Sequence, residues 1–225
     1  MKPLLLVVIG GVVGGLVSLV LIALPYLPTA ASEQAGRWDS LWFAVLGGAG
    51  VIFGIVTVLL VYSIFAFRAK HGQLEDGDPL HGLTWLEVVW TAIPAVIVFV
   101  LAGVSYFVLD NNEKGFANPS ALEVDVHAFT YNWDYTYPKE GIKASSELVL
   151  PVGRPVKFKI HTTDVIHSFW VPEWRLQMNA TPGQVNTLTV TPTKTGSFTL
   201  VCAFLCGPGH GYMNSAVEGN TGINP

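Results

Sequence analysis

Three long stretches of the chain carry almost no charge, and this feature restricts the possible folds more than any other. They span residues 4–24, 40–67 and 86–109, and the last is interrupted only by Glu87. An α-helix rises about 1.5 Å per residue, so about 20 residues cross the hydrocarbon core of a bilayer. Each stretch reaches that length. Because only 12% of the whole chain is charged, against roughly 25% in a soluble domain, we expect a membrane protein.

The chain changes character after Asp110. From about Ala121 onward, apolar and polar residues alternate and β-branched residues are common, as in L-E-V-D-V-H at 122–127. Alternation with a period of two is typical of β-strands, and turn residues separate the alternating segments. Several short strands in one domain predict an all-β sandwich. We therefore expect a transmembrane helical hairpin at 32–110 followed by a β domain at 111–225.

The basic residues near the apolar stretches predict the orientation. Arg68 and Lys70 directly follow the second stretch, whereas the 25–39 segment carries only Arg37. Basic residues collect on the cytoplasmic side of a membrane. We expect the 68–84 loop to be cytoplasmic and the β domain to lie on the outer, periplasmic or extracellular face of a bacterial plasma membrane.

The first apolar stretch has two interpretations. Lys2, an apolar run and the small residues T-A-A-S at 29–32 also describe a signal peptide. The run of 21 residues at 4–24 exceeds the roughly 7–15 residues of a signal-peptide core. It also contains two overlapping G-x-x-x-G pairs, which suit close helix packing in lipid. We favour retention of segment 1–31 as a third helix, with cleavage as the alternative.

The overall charge and the cysteine count exclude two classes of protein. Twelve basic and sixteen acidic residues leave a net charge of −4, without the basic surplus that displaces counterions from nucleic-acid phosphates. Two cysteines are too few for a secreted fold held together by disulfides. Membrane lipid is an expected partner, and nucleic acid is not.

The densest cluster of reactive side chains is C-A-F-L-C-G-P-G-H-G-Y-M at 202–213, which contains Cys202, Cys206, His210 and Met213. Thiolate, imidazole and thioether together favour copper. The glycines and proline between them predict a tight loop on which the ligands can converge. The alternative is a disulfide between the two cysteines, which is plausible on an oxidising face of the membrane.

The second cysteine bears on the kind of copper site. A mononuclear blue-copper centre uses one cysteine, two histidines and a weak axial methionine, so one cysteine would be surplus. Two thiolates can instead bridge two copper ions, each completed by one histidine. The candidate for the second histidine is His167, which lies 35 residues before Cys202. Taken alone, a histidine beside apolar residues is more often a structural histidine than a ligand.

On these residues the chain resembles subunit II of the haem-copper respiratory oxidases, the cytochrome c oxidase subunit II family. D-V-I-H-S-F-W-V-P at 164–172 and the 202–213 cluster look like the two copper-ligand motifs of that family. L-E-V-V-W-T-A-I-P at 86–94 resembles the start of its second transmembrane helix. The resemblance implies a cupredoxin-like Greek-key sandwich that holds the dinuclear copper centre CuA. The implied ligands are His167, Cys202, the backbone carbonyl of Phe204, Cys206, His210 and Met213.

The resemblance also implies roles for three further residues. Glu87 falls on the glutamate at the entrance of the proton K-channel; its alternative is an interfacial carboxylate stabilised by a helix N-terminus. F-T-Y-N-W-D-Y-T-Y-P at 129–138 is similar to the aromatic stretch over the copper site, where Tyr131 replaces the tryptophan that receives electrons. Trp133 belongs to the same stretch. The resemblance implies electron entry at Trp133 as well, and the alternative for Trp133 is packing in a strand of aromatic residues.

Three departures from the family pattern occur together. The family commonly has Glu, Asp and Arg where this chain has Phe204, Asn179 and Gln184. A carboxylate of that loop serves a magnesium or manganese site in the family, and a phenylalanine side chain has no oxygen donor for such a cation. We expect that site to be absent or built from other groups.

The function implied by the resemblance is electron input to a terminal oxidase. The chain would accept single electrons from cytochrome c or a similar carrier and pass them to haem in subunit I, where oxygen is reduced to water and protons are pumped. Haems and CuB are expected only on subunit I, and subunits I and III are expected partners. No C-x-x-C-H motif occurs, so the donor would be a separate molecule.

Three alternative functions share parts of this pattern. One is a membrane-anchored mononuclear blue-copper carrier, which leaves the second cysteine unexplained. Another is the CuA subunit of a nitric oxide reductase. The last is a copper-free quinol oxidase subunit, in which the copper ligands are lost, whereas this chain has all of them.

Overall fold

The computed structural model describes residues 3–69, 72, 82–113 and 118–220. In these ranges three long helices precede ten strands. The helices are α1 (Pro3–Ala23), α2 (Glu33–Ala66) and α3 (Thr84–Glu113). The strands are β1 (Leu122–Phe129), β2 (Asn132–Tyr137), β3 (Ile142–Ser145), β4 (Leu148–Pro151), β5 (Val156–Thr162), β6 (His167–Val171), β7 (Leu176–Ala180), β8 (Asn186–Val190), β9 (Gly196–Cys202) and β10 (Asn214–Asn220).

The chain forms two compact units. The helical unit consists of Met1–Tyr26 and Ser40–Tyr106, and the β unit consists of Leu27–Asp39 and Phe107–Pro225. The predicted order of apolar helices followed by a β domain is confirmed. All three helices are long and apolar enough to cross a membrane. Most of the predicted 68–84 loop lies outside the described residues.

Helices α1 and α2 pack against each other through glycines. A Cβ atom at Gly10 would lie 2.8 Å from the carbonyl oxygen of Gly54, and one at Gly14 would overlap the backbone of Gly50. Ser18, one turn after Gly14, donates a hydrogen bond from its buried hydroxyl to the Gly14 carbonyl at 2.9 Å. Backbones approach this closely only where side chains are absent, as in tightly packed membrane helices.

The β unit is a sandwich of two five-stranded sheets. Their strand orders are β3-β2-β1-β5-β8 and β4-β10-β9-β6-β7, and the pairs β1·β5 and β10·β4 are parallel. Inward and outward residues alternate along β1 and β5, so one face of the sheet is buried. The ring of Phe169 from the second sheet lies 5.2 Å from Phe158 and 5.9 Å from Trp133 of the first, measured between centroids. These rings fill the core between the sheets.

Residues Leu27–Asp39, which we call the strap, belong to the β unit. Ala31 is fully buried. Its N–H donates to the carbonyl of Glu173 at 2.9 Å, and its carbonyl accepts from the N–H of Thr193 at 2.9 Å. The boundary therefore differs from the predicted one, which assigned residues from 32 onward to the helical hairpin. Backbone pairing with a segment about 140 residues away leaves no mark on local composition.

Arg175 secures the end of the strap. Its guanidinium donates to the Asp39 carboxylate at 2.8 Å and to the backbone carbonyls of Pro172 and Pro28 at 2.7 and 2.5 Å. The Arg175 side chain is 13% exposed and that of Asp39 is 20% exposed. Because both charges are largely removed from water, removing either partner would leave the other charge poorly solvated and without its counter-ion.

Candidate metal centre

The centre forms where the ends of two strands meet. His167 is the first residue of β6 and Cys202 is the last residue of β9, and these strands pair in antiparallel fashion, with Phe169 opposite Cys202. The backbone continues the contact beyond the strand, because the Ala203 N–H donates to the Ser168 carbonyl at 3.0 Å. Strand pairing therefore brings a histidine to a cysteine that follows it 35 residues later in the chain.

The two cysteines and His167 converge on one buried point. The Sγ atom of Cys202 lies 4.0 Å from His167 Nδ1 and 3.9 Å from Cys206 Sγ. One ligand atom from each of the three residues falls within 4.8 Å of the other two. His167 is fully buried, and Cys202 and Cys206 are 6% and 8% exposed.

The loop after β9 supplies the remaining candidate ligands. His210 opens a one-turn 3-10 helix, His210–Tyr212, and its Nδ1 lies 3.6 Å from Cys206 Sγ. The Sδ atom of Met213 lies 3.8 Å from the same sulfur. On the other side, the carbonyl oxygen of Phe204 lies 3.3 Å from Cys202 Sγ. Each sulfur therefore has its own histidine and one further weak donor.

The two cysteines do not form a disulfide. Both are free thiols, and their sulfurs lie 3.9 Å apart, whereas a disulfide bond is about 2.05 Å long. A metal ion about 2.3 Å from each sulfur can bind two sulfurs up to about 4.6 Å apart. The observed separation therefore suits thiolates that share a metal ion.

The donor set fits copper. Thiolate, imidazole and thioether are ligands that copper accepts together, and a thioether is unusual for zinc. Burial raises the pKa of the Cys206 thiol to about 11, and the neighbouring Cys202 adds to the shift. Without metal the thiol is therefore protonated near neutral pH, and metal binding must release this proton. The geometry is compatible with a copper site.

Asp164 orients His167. Its Oδ1 lies 2.8 Å from His167 Nε2, so an ionised carboxylate accepts the Nε2 proton and leaves Nδ1 to face Cys202. Partial burial opposes ionisation of Asp164, but hydrogen bonds from Thr130, His167 and Thr162 outweigh it and hold its pKa well below the usual value. No role was predicted for Asp164 from the sequence. Its position three residues before His167 could have indicated a carboxylate partner for the imidazole.

The two aromatic residues predicted to receive electrons occupy different environments. Trp133 is fully buried, and its ring meets that of His167 edge to face with centroids 6.3 Å apart. Tyr131 is 36% exposed. Of this pair, only Tyr131 can touch a donor protein directly, whereas Trp133 contacts a candidate copper ligand from within the core.

Tyr131 lies directly on the ligand loop. A Cβ atom at Gly207 would lie 2.6 Å from the Tyr131 hydroxyl, and one at Gly209 would lie 2.5 Å from the ring. Gly207 also has a φ of 133°, which side chains rarely adopt. Glycine at these two positions lets the aromatic ring cover the segment between Cys206 and His210.

Replacing Gly209 by alanine should therefore disturb the centre through Tyr131. The φ of Gly209 is −88°, which alanine adopts freely, so the effect is steric. We expect weaker copper retention and a shifted copper spectrum, measured during dialysis against a chelator. Gly211→Ala is the matched control, because its Cβ meets nothing within 4 Å. Adding Tyr131→Ala should restore retention in the Gly209→Ala protein, and failure to do so would contradict the steric explanation.

The remaining predicted residues lie elsewhere. Glu87 is in the first turn of α3, in the helical unit, and is exposed in this chain. The Phe204 side chain is 43% exposed. Asn179 stands opposite Ser168 in the β6–β7 pair. Gln184 follows β7 in a turn, which a hydrogen bond donated by its backbone N–H closes. The expected loss of the magnesium site stays a prediction.

Comparison with known proteins finds relatives that align with most of this chain. The cytochrome c oxidase subunit 2 of Synechocystis sp. is 33% identical, with 87% of this chain and 72% of the relative covered. The cytochrome c oxidase subunit 2 of Thermostichus vulcanus is 32% identical, with 85% of this chain and 73% of the relative covered. A probable quinol oxidase subunit 2 of Staphylococcus saprophyticus is 32% identical over 64% of this chain and 39% of the relative.

Among solved structures, the periplasmic domain of subunit II of cytochrome oxidase from Bradyrhizobium japonicum is 26% identical. The match covers 46% of this chain and 86% of the solved chain, with a TM-score of 0.43.

Two family profiles also match this chain. "Cytochrome C oxidase subunit II, transmembrane domain" matches residues 20–108, and "Cytochrome C oxidase subunit II, periplasmic domain" matches residues 138–220. With these matches and relatives above 30% identity, the chain belongs to the cytochrome c oxidase subunit II family.

Proposed function

We propose that the chain is the electron-accepting subunit of a cytochrome c oxidase, with a dinuclear CuA centre in its β unit. It would receive single electrons from cytochrome c or a similar carrier and deliver them to haem in subunit I, where oxygen is reduced to water. The observation that carries this proposal is the pair of buried free thiols 3.9 Å apart, each with its own histidine.

The arrangement supports two metal positions. His167 approaches Cys202 and His210 approaches Cys206, so a different imidazole is nearest to each sulfur. A mononuclear blue-copper site needs both histidines on one ion and only one thiolate. Copper would supply one-electron redox chemistry here.

The protein would hold these ligands in place during electron transfer. Asp164 holds the His167 imidazole through a hydrogen bond. The carbonyl of the neighbouring Ser168 accepts a hydrogen bond from the Ala203 backbone N–H. Met213 is 1% exposed and its carbonyl accepts from the Cys202 N–H at 3.0 Å. Ligands fixed in this way rearrange little when the charge of the centre changes, which favours rapid electron transfer.

Copper analysis with electron spin resonance tests the proposal. Full-length protein purified with copper should contain two copper ions per chain and show hyperfine splitting shared by two nuclei. One copper ion per chain with splitting from a single nucleus would favour the blue-copper carrier instead. Absence of copper would favour the quinol oxidase alternative, to which the Staphylococcus relative draws attention.

Gas uptake distinguishes the oxidase from the nitric oxide reductase. In the proposed scheme either gas would react on subunit I, which would carry the haems and CuB. Gas uptake by the complex with subunits I and III tests this directly. Oxygen consumption driven by reduced cytochrome c supports the oxidase, and consumption of nitric oxide alone would identify the reductase.

We also propose that the β unit has the Greek-key connectivity of cupredoxins and lies outside a bacterial plasma membrane. The two mixed five-stranded sheets support this assignment. The 68–84 loop would then face the cytoplasm, consistent with Arg68 and Lys70 after the second apolar stretch.

Segment 1–31 should remain in the mature protein. Cleavage after Ala31 would remove α1 from its glycine contacts with α2 and break both backbone hydrogen bonds of Ala31. We expect mass spectrometry of the protein purified from membranes to yield peptides from 3–31. A mature chain that begins at Ser32 would show that the segment is a signal peptide.

Replacing Glu87 by glutamine should slow turnover of the oxidase complex without changing the copper spectrum. The substitution keeps the shape of the side chain and removes its exchangeable carboxyl proton, and Glu87 lies in the first turn of α3 in the helical unit. Steady-state oxygen consumption and electron spin resonance on the same sample test this prediction. Unchanged turnover would favour an interfacial carboxylate at the helix N-terminus.

A further inference from the structure

A cavity of about 210 Å³, which we call the strap cavity, lies within the β unit. Trp38 of the strap, Asn112 of α3 and Thr189 of β8 line it, together with the apolar side chains of Leu109 and Leu188. One water molecule occupies roughly 30 Å³ in the liquid. The strap cavity therefore has room for a chemical group of several heavy atoms.

Three of the lining side chains carry a buried polar atom that has no hydrogen-bond partner among the described residues. These atoms are Trp38 Nε1, Asn112 Nδ2 and Thr189 Oγ1. Asn112 is 8% exposed and Thr189 is 3% exposed. Indole and amide nitrogens only donate hydrogen bonds, and a hydroxyl can donate as well. Because buried polar atoms nearly always have a partner in the protein, in water or in a ligand, we expect an occupant with several acceptor oxygens.

The neighbouring contacts fix the Asn112 amide and balance the charges beside it. Asn112 Oδ1 accepts a hydrogen bond from Arg37 Nη1 at 2.8 Å, which leaves Nδ2 as the free donor. Arg175, which also lines the cavity, pairs with Asp39 at 2.8 Å, and Arg37 lies 3.8 Å from a carboxylate oxygen of Glu33. These two pairs carry no net charge, so they do not oppose the entry of an anion.

Two of the lining residues lie just beyond the ends of the apolar spans. Trp38 precedes the uncharged stretch 40–67 by two residues, and Asn112 follows the stretch 86–109 by three residues. Both residues are helical, so at 1.5 Å per residue they lie about 3 and 4.5 Å past the spans. The headgroup layer on each side of the hydrocarbon core is about 5–8 Å thick, and tryptophan is enriched there. This position favours a lipid headgroup as the source of the acceptor oxygens.

We propose that the strap cavity binds the phosphodiester group of a membrane phospholipid. Neutral side chains commonly donate hydrogen bonds to phosphate oxygens, and here the donors would be Trp38, Asn112 and Thr189. Leu109 and Leu188 would contact the carbon chain that follows the phosphate. Because a ligand that binds only the folded state stabilises it, the lipid would join the strap, the end of α3 and β8 and raise the melting temperature of the β unit.

Thermal unfolding of delipidated full-length protein in detergent, followed by near-ultraviolet circular dichroism, tests the proposal. Dioleoylphosphatidylglycerol at about one hundred times its dissociation constant should raise the melting temperature of the β unit by roughly 10 °C. Inorganic phosphate should not do so, and neither should dioleoylglycerol, which has the same chains without the phosphate. Native mass spectrometry should show one phospholipid retained per chain.

Two substitutions remove a donor with little change in side-chain volume. Thr189→Val deletes the hydroxyl, and Asn112→Asp keeps the oxygen that Arg37 binds but replaces the donor by an anionic acceptor. Each should lose most of the lipid-induced rise. Without lipid, the Thr189→Val protein should melt no lower than the original, because it loses only an unpartnered hydroxyl. Thr187→Val, on the same strand but outside the cavity lining, and Asn132→Asp, at an exposed position of β2, are the controls and should keep the rise.

Three results would overturn the proposal. The first is an unchanged melting temperature with dioleoylphosphatidylglycerol. The second is an equal rise with inorganic phosphate or dioleoylglycerol alone, which would assign the cavity to a free anion or to an apolar chain. The third is a lipid-induced rise that survives both Thr189→Val and Asn112→Asp, which would place the lipid elsewhere. Copper content, measured on the same samples, tests the proposed function separately.

Discussion

Cys206→Ser is expected to abolish copper-dependent electron transfer while the helices remain in the membrane. Cys206 Sγ lies within 3.9 Å of donor atoms of Cys202, His210 and Met213. A serine hydroxyl is a hard, neutral ligand that copper accepts poorly in place of thiolate. Copper should fall from two ions per chain to at most one, and reduction by cytochrome c should be lost.

The measurement combines copper content, stopped-flow reduction by the donor and carbonate extraction of membranes. Met213→Leu is the matched control, because leucine fills a similar buried volume and removes only the thioether. That variant should retain both copper ions with an altered reduction potential. Normal reduction of the Cys206→Ser protein by its donor would refute the assignment of the centre.

Arg175→Ala should destabilise the β unit by about 2–3 kcal/mol, less than the 3–5 kcal/mol of a fully buried ion pair because both partners retain some solvent contact. The substitution leaves the Asp39 carboxylate without its guanidinium and removes the donors to the Pro28 and Pro172 carbonyls. The strap thereby loses its Arg175 contacts at both ends. The melting temperature of the β unit should fall by roughly 10 °C.

Thermal unfolding in detergent, followed by near-ultraviolet circular dichroism of the buried tryptophans, measures this change. Arg154→Ala is the control, because the exposed Arg154 makes a side-chain hydrogen bond to the Ser120 carbonyl at 3.1 Å and its loss should cost no more than about 0.5 kcal/mol. Equal melting temperatures for the Arg175→Ala and original proteins would show that the Arg175 contacts to the strap do not contribute to the stability of the β unit.

Local patterns in the sequence predicted the helices, the β domain and the ligand loop of the centre. An apolar stretch of about 20 residues has few alternatives to a membrane helix, and alternation specifies a half-buried strand. The Cys202–Met213 loop was predictable for the same reason, because its ligands lie within twelve consecutive residues. Helix α2 extends beyond the uncharged stretch at 40–67: it begins at Glu33, where Ser32 Oγ accepts a hydrogen bond from the Ala35 N–H at 3.0 Å.

Other features depend on which distant segments become neighbours. His167 reaches Cys202 through the register of β6 and β9, Tyr131 lies on the glycines of the ligand loop, and the strap joins the β unit through Ala31. Trp38, Asn112 and Thr189 line one cavity although they lie far apart in the chain. The sequence alone determined which chemical groups and which local elements the protein has. Only the tertiary structure decided which groups meet, because strand register and core packing are cooperative properties of segments far apart in the chain.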